Sequence, residues 1–237
     1  MKQIILFIST AILISSCDIT RRTGTSLSQG YPNGDTLITQ SLFNDKASTI
    51  SEENIQRVLD GSYKLPQQLR VAIVKLESSS QRRYYWNYWN DEQYLKTQQS
   101  YLDLFADKFR QSLRVTKTFS IPDILVSKSP SFTNIREAAV RMQADIVVIY
   151  SIASDLYSKY KLFSKPDVKA YATTQLIILD VRTGLIPFST IITKDVLSQK
   201  KKEEIDNSEA ASRIQNEAVL LTIADISQKI TDFLNTK

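Results

Sequence analysis

Cys17 is the only cysteine in the 237-residue chain, and a thiol is among the most reactive groups that a side chain offers. A lone cysteine has no partner for an internal disulfide bond or for a thiolate metal site. The residue follows an apolar run over residues 4–14 and two serines, and a polar segment rich in serine, threonine and glycine comes after it. This context predicts that the thiol is chemically modified.

The residues before Cys17 have the pattern of an export signal. Lys2 gives a basic start, and the apolar run over residues 4–14 is shorter than the roughly 20 residues that a membrane-spanning helix needs. A basic start, a short apolar run and small residues at the boundary are typical of a secretory signal peptide, which we place at residues 1–16. The chain is therefore predicted to be exported.

The residues Ile14-Ser15-Ser16-Cys17 resemble the bacterial lipobox, in which an aliphatic residue and two small residues precede a cysteine. The resemblance implies cleavage before Cys17, a diacylglycerol on its thiol, and an acyl chain such as palmitate on its new amino group. Two or three acyl chains hold a protein on a membrane, whereas one chain anchors it only marginally. The alternative is an ordinary signal peptide that leaves a free thiol.

Other chemistry has little support in the composition. The chain has no histidine, which removes the commonest general base and metal ligand, and its five glycines form no phosphate-binding loop. We therefore predict no catalytic residue, no metal site and no cofactor beyond the lipid. A cell-wall hydrolase that uses two carboxylates stays as an alternative. Its candidates are Asp91 with Glu92, Asp103 with Asp107, Asp145, Asp155, and Asp180, which we expect to bond the backbone of the turn that follows it.

Residues 82–91, RRYYWNYWND, concentrate five aromatic side chains in a predicted loop. Tyrosine and tryptophan bury a large area while keeping a polar tip, so they gather at protein interfaces. We interpret the segment as a contact surface for a partner protein; the alternative is a small satellite core under the loop. The candidate contact residues are Tyr84, Tyr85, Trp86, Asn87, Tyr88 and Trp89.

The apolar periodicity predicts a tether that starts at Cys17 and covers residues 17–50, followed by one α/β domain over residues 51–237. Its fold class is α/β (α+β), with helices packed on a mixed sheet that ends in a long antiparallel hairpin. The predicted elements are a helix capped by Thr49 with Glu52, a strand at 69–77, a helix at 91–113, an extended segment at 114–121, a helix capped by Thr133, a strand at 144–154, a hairpin at 168–197 and a helix at Asn207–Leu234.

Local signals add detail to these elements. Gly184 supplies the positive φ for the hairpin turn, and Asp206 is the N-cap of the last helix. A second turn is expected near Pro166. The core-facing positions predicted for the 91–113 helix are Leu95, Leu102, Phe105, Phe109 and Leu113, and those for the last helix are Ile214, Ala218, Leu221, Ala224 and Ile230.

The order of lipobox, tether, LRVAIVKLE, ADIVVIYSIAS and TTQLIILDVRTGLIPFSTIITKDVL resembles the curli-secretion-channel family of envelope lipoproteins. The resemblance implies the α/β domain, the lipid anchor and an aromatic loop after the first strand. Channel members also carry two long membrane-crossing hairpins. The matching segments here are short and contain Lys159, Lys161 and Lys169, so the resemblance does not extend to the pore.

These inferences predict a non-enzymatic lipoprotein of the bacterial cell envelope, anchored to the outer or inner membrane with its domain in the periplasm. Its partners would be the membrane, through the lipid, and another envelope protein. The net charge of +5 is modest and the basic residues are scattered, so nucleic acid is not expected as a partner. An oligomeric secretion-channel subunit of the outer membrane is the second hypothesis, and it keeps a homo-oligomer open.

Overall fold

A computed structural model describes residues 41–76, 92–126, 130–161 and 164–236. The described helices are α1 (Glu52–Leu59), α2 (Glu92–Arg110), α3 (Phe132–Arg141) and α4 (Asn207–Leu234). The described strands are β1 (Leu69–Lys75), β2 (Val115–Ser120), β3 (Ile146–Lys161), β4 (Ser164–Asp180) and β5 (Phe188–Gln199). The predicted α/β class is confirmed.

The five strands form one mixed sheet in the order β2-β1-β3-β4-β5. β1 runs parallel to both β2 and β3, with Val71 opposite Ile146. β3, β4 and β5 follow one another as antiparallel neighbours, with Val147 opposite Leu179 and Ile177 opposite Ser189. The parallel strands β1, β2 and β3 are connected through the helices α2 and α3, whereas the antiparallel strands β3, β4 and β5 can be joined by short turns.

One face of the sheet carries the larger core, because α2 and α4 both pack against it. Phe105 and Phe109 of α2 are fully buried, and the Phe105 ring lies 4.8 Å from the ring of Tyr150 in β3. Ile214 and Ile226 of α4 are fully buried in the same cluster. α4 covers β4 and β5 along its length, so one face of these two strands is shielded from solvent.

The opposite face carries a smaller core that covers only part of the sheet. Ile135 and Ala139 of α3 pack there with Val147 of β3 and Leu179 of β4. Residues Leu42 and Phe43 join this core: the Phe43 ring lies 5.0 Å from that of Phe132, and Phe132 N–H donates to the Leu42 carbonyl at 2.7 Å. This core lies at the start of β3 and the end of β4.

The hairpin between β4 and β5 turns through Gly184, which has φ of +76° as predicted. Asp180 Oδ1 accepts hydrogen bonds from Thr183 N and Oγ1, both at 2.7 Å, and Gly184 N donates to the Asp180 carbonyl. Asp180 is thus the turn residue that the sequence predicted. A β carbon on residue 184 would lie 3.3 Å from Phe132 Cζ, so glycine also permits the close approach of α3.

The helix caps differ from two predictions. Ser51, not Thr49, is the N-cap of α1, and none of the side chains of this helix is buried. Ser131, not Thr133, caps α3 by accepting from Asn134 N at 3.3 Å. The Thr133 hydroxyl instead donates to Asp45 Oδ1 at 3.0 Å. Asp206 caps α4 as predicted, accepting from Glu209 N at 2.9 Å.

The connection predicted near Pro166 comes a few residues earlier, between Lys161 at the end of β3 and Ser164 at the start of β4, and Pro166 lies inside β4. The register shifts between Lys159, opposite Asp167, and Lys161, opposite Ser164. Proline donates no hydrogen bond to a ladder and is tolerated at such irregularities. β3 therefore extends seven residues beyond the predicted strand at 144–154, and β4 begins four residues before the predicted start of the hairpin at 168.

Four of the predicted core positions are also wrong. Leu95 and Leu113 of the second predicted helix are exposed, and Leu113 lies beyond the end of α2. Leu221 and Ala224 of α4 are exposed, since the buried stripe of that helix passes through Ala218, Thr222 and Ile226. Both helices form as predicted, but contact with the sheet selects a slightly different side of each.

Candidate functional site

The face of β3, β4 and β5 that points away from α4 is the candidate site, and we call it the open face. α3 covers it only near Ile149 and Leu179, and no other element of the described ranges packs on the remainder. Its side chains alternate with the buried ones along each strand. They are Ser151, Ala153, Asp155 and Tyr157 of β3, Lys169, Tyr171, Thr173 and Gln175 of β4, and Ile191, Thr193, Asp195 and Leu197 of β5.

Two tyrosines form the aromatic part of the open face. The ring centroids of Tyr157 and Tyr171 lie 5.4 Å apart in an edge-to-face arrangement, and Lys169 Nζ lies 4.6 Å from the centroid of Tyr171. Lys169 also forms an ion pair of 3.0 Å with Asp195 on β5. Hydrogen bonding to the Asp155 carboxylate raises the pKa of Tyr157 above its ordinary value of 10.0.

The rest of the open face combines hydroxyl groups with exposed aliphatic side chains. Thr173 and Thr193 share a hydrogen bond of 2.9 Å between their hydroxyls. Ile191 and Leu197 of β5 are each 66% exposed, and they lie on the same face of the strand. A surface with tyrosine, aliphatic and hydroxyl side chains and few net charges resembles the composition of protein interfaces.

The candidate carboxylates in the described ranges have structural partners in place of a shared catalytic centre, and Asp91 lies outside those ranges. Asp103 accepts from Gln99, and Asp107 pairs with Arg110 at 2.6 Å; each partner lies on the exposed side of the same helix, α2. Asp155 accepts from the N–H of Leu156 at 2.8 Å. The described ranges contain no cluster of three or more acidic, cysteine or histidine side chains that would hold a metal ion.

Asp180 is buried at the other end of the hairpin, away from the open face. Besides the turn, it accepts from the Tyr63 hydroxyl at 3.2 Å. Burial of the phenol, followed by its interaction with the Asp180 carboxylate, raises the pKa of Tyr63. Arg136 of α3 donates to the carbonyls of Val181 and Arg182, each at 2.7 Å. This arrangement holds the turn against α3 and leaves the carboxylate enclosed.

Two predicted sites lie outside the described residues. They are the lipidation site Cys17 and the aromatic segment with Tyr84, Tyr85, Trp86, Asn87, Tyr88 and Trp89. Both stay predictions. In the part of the chain that is described, no helix combines the length and the apolar character needed to cross a membrane.

The open face is not among the sites predicted from the sequence. A signal was present, because the hairpin alternates regularly and its second set of positions contains tyrosine, threonine, lysine and isoleucine. Alternation shows that a strand has two different faces but does not tell whether a helix covers the second one. Only the tertiary contacts of the strands with the helices therefore show which face is left open.

No family model matches the chain, and no curated protein matches it. Solved structures with some likeness include a neuraminyllactose-binding hemagglutinin homolog from Helicobacter pylori, with 14% identity, 71% of this chain and 91% of that chain covered, and a TM-score of 0.41.

Two further likenesses are of the same kind. A PelC dodecamer from Paraburkholderia phytofirmans has 14% identity and a TM-score of 0.30, covering 67% of this chain and 90% of that chain. A minor lipoprotein from Acinetobacter baumannii has 10% identity and a TM-score of 0.32, covering 72% of this chain and 92% of that chain. At these identities and TM-scores the matches carry no information about the activity of this protein.

Proposed function

We propose that this chain is a lipid-anchored protein of the bacterial cell envelope whose domain binds another protein without catalysis. The observation that carries the binding role is the open face, a sheet surface with exposed Tyr157, Tyr171, Ile191 and Leu197 that no described element covers. The lipobox at Cys17 supports the anchor.

The chemistry of the open face favours a protein as the ligand. Tyr157 and Tyr171 present aromatic area with polar tips, and Asp195 and Lys169 neutralise each other. A nucleic acid or an acidic lipid surface would require a concentration of unpaired positive charge. The aromatic segment at Tyr84 to Trp89 is proposed as a second contact region of the same partner.

A catalytic role has no comparable support. Asp103 and Asp107 each bond to a neighbour on α2, and Asp180 is enclosed by Tyr63 and the turn. We therefore propose a binding module in preference to a carboxylate hydrolase. The mass of detergent-extracted protein distinguishes the secretion-channel alternative, which requires a ring of many subunits.

Photocrosslinking in living cells tests the proposal. A photoreactive phenylalanine analogue replaces Tyr157 or Tyr171 in the full chain, with Leu104 of α2 as the control because its 40% exposure is close to the 36% of Tyr171. We expect both face positions to capture the same protein and the control position not to capture it. Thr173→Arg should then lower the yield from Tyr157. Equal capture from all three positions, or none, would contradict the proposal.

A further inference from the structure

The free edge of the sheet leads to an inference about a second copy of this chain. β5 is the last strand of the sheet and, within the described residues, pairs with β4 alone. We propose that β5 also pairs with β5 of a second molecule, antiparallel, about a two-fold axis at Lys194. The two sheets would then join into one, and the contact goes beyond the partner binding proposed for the open face.

The geometry of β5 suits such pairing. Its register with β4 runs without a shift from Asp167 opposite Gln199 to Ile178 opposite Phe188. The strand contains no proline and no glycine, which would interrupt an outer ladder. A long, regular edge strand with exposed apolar side chains is a template for another strand, because its outer backbone groups lack partners in the sheet.

Side-chain complementarity selects the register. In an antiparallel pair, directly opposite residues lie on the same face of the sheet. A two-fold axis at Lys194 therefore places Ile191 of each copy opposite Leu197 of the other, which gives two such pairs in the contact. On the helix-covered face the same register places Ile192 opposite Val196. The most exposed aliphatic side chains of β5 thereby cover each other.

Neighbouring registers are less favourable. An axis at Thr193 would place the Asp195 carboxylate opposite Ile191 at both ends of the contact. An axis at Asp195 would bring the two Asp195 carboxylates together, and like charges directly opposite each other destabilise a sheet. The register about Lys194 instead places each Asp195 opposite a Thr193 hydroxyl, which can donate to it.

Lys194 itself would otherwise oppose the contact, since a lysine on an edge strand usually discourages pairing. Its ammonium group is held in an ion pair of 2.6 Å with Asp225 of α4. In each copy the charge of Lys194 is therefore neutralised by Asp225 where the two strands meet at the two-fold axis. Leu221, one helical turn before Asp225, is 43% exposed on the same side of α4 and adds apolar area beside β5.

Cysteine crosslinking in membranes tests both the contact and its register. The full chain carries Ile191→Cys and Leu197→Cys together, and mild oxidation should give a disulfide-linked dimer, since opposite residues have Cα atoms within bonding range. Each single variant should give none, because equivalent residues of the two copies lie roughly 20 Å apart along the strands. Cys17 is common to all variants and to the unchanged chain, which serves as the background.

Charge substitution gives an independent measurement in detergent solution by analytical ultracentrifugation. Ile191→Lys with Leu197→Lys should raise the dissociation constant of the dimer about tenfold or more, because four ammonium groups would meet in one contact. The matched control, Ile124→Lys with Leu113→Lys, changes the same residue types at positions that are 91% and 104% exposed, and it should leave the dimer intact.

Three results would overturn the inference: a monomeric unchanged chain, crosslinking from the single variants at the level of the double variant, or equal weakening by both lysine pairs. These outcomes do not depend on the partner-binding proposal, because its test uses Tyr157 and Tyr171 on β3 and β4. A dimer without partner capture, or partner capture without a dimer, separates the two ideas.

Discussion

Asp145 accepts three hydrogen bonds from Arg70, one from the backbone N–H at 2.9 Å and two from the guanidinium group at 3.0 and 2.9 Å. Asp145 also uses its backbone, donating to the Arg70 carbonyl and accepting from Val181 N. One residue thus fixes the starts of β1 and β3 and the end of β4. Arg182 Nη2 lies 3.9 Å from the same carboxylate and adds positive charge.

The hydrogen bonds from Arg70 lower the pKa of Asp145 below its ordinary value of 3.8. A carboxylate with a lowered folded-state pKa stabilises the protein above its unfolded-state pKa, and this contribution disappears as the pH falls through the folded-state value. Asp145→Asn should therefore lower the melting temperature by a few degrees at pH 7. The difference from the unchanged chain should shrink below about pH 4, close to the unperturbed aspartate pKa.

Thermal unfolding followed by circular dichroism at several pH values checks this prediction. Glu204 serves as the comparison, because hydrogen bonding from Arg213 lowers its pKa as well. A loss of stability in the Asn variant that is as large at pH 3 as at pH 7 would show that the charge of Asp145 does not matter.

Thr174 of β4 and Thr222 of α4 share a hydrogen bond of 2.6 Å between two fully buried hydroxyls. Thr222 also donates to the Val219 carbonyl, so Thr174 has to be the donor within the pair. Thr222→Val should cost about 1–3 kcal/mol of unfolding free energy because it leaves the Thr174 hydroxyl buried without its partner. The double variant with Thr174→Val should recover part of this loss. Denaturant unfolding of the unchanged chain, the two single variants and the double variant completes this double-mutant cycle. Strictly additive losses of unfolding free energy would contradict the coupling between the two threonines.

Of the two glycines in the described ranges, Gly61 and Gly184, we predict that Gly184 tolerates replacement less. Its φ of +76° costs an alanine roughly 1–2 kcal/mol, and the added β carbon would press on Phe132. Gly184→Asn meets the same contact but adopts a positive φ more readily, so it should be less destabilising than Gly184→Ala. Denaturant midpoints measure the order, and equal effects of the two substitutions would mean that only the contact matters.

Cys17→Ser is predicted to release the protein from the membrane. Labelled palmitate should enter the unchanged chain and not the variant, and cell fractionation should move the variant out of the membrane pellet, because the acyl chains supply the binding energy. Ser16→Ala keeps a small residue before the cysteine and serves as the control. Equal labelling of Cys17→Ser would contradict lipidation at this residue.

Trp86 and Trp89 are the only tryptophans of the chain, so intrinsic fluorescence reports on the aromatic segment alone. An accessible contact surface predicts long-wavelength emission that acrylamide quenches and early cleavage of the segment by proteases. Short-wavelength emission with resistance to cleavage would instead support the satellite-core alternative.

Elements with strong local signals could be predicted from the sequence. The bounds and N-cap of α4, the positive φ of Gly184 and the turn role of Asp180 all follow from interactions between residues a few positions apart. The central strands were also recognisable, since burial on both faces requires a continuous apolar run.

Features that depend on distant partners could not be predicted in the same way. Thr133 has the residue type of a helix cap, but its hydroxyl bonds to Asp45, which lies far away in the chain. Leu221 fits the helical period, yet the position of α4 over β4 and β5 leaves it at the edge of the sheet.

By itself the sequence determined the lipobox prediction, the order of helices and strands and the turn chemistry, because these rest on covalent neighbours and short periods. The tertiary structure alone decided that, among the described residues, no element covers most of the second face of the long hairpin and no strand pairs with the outer edge of β5. Strand alternation is the same whether or not a helix packs on a face, so only the placement of α3 and α4 separates core from surface there.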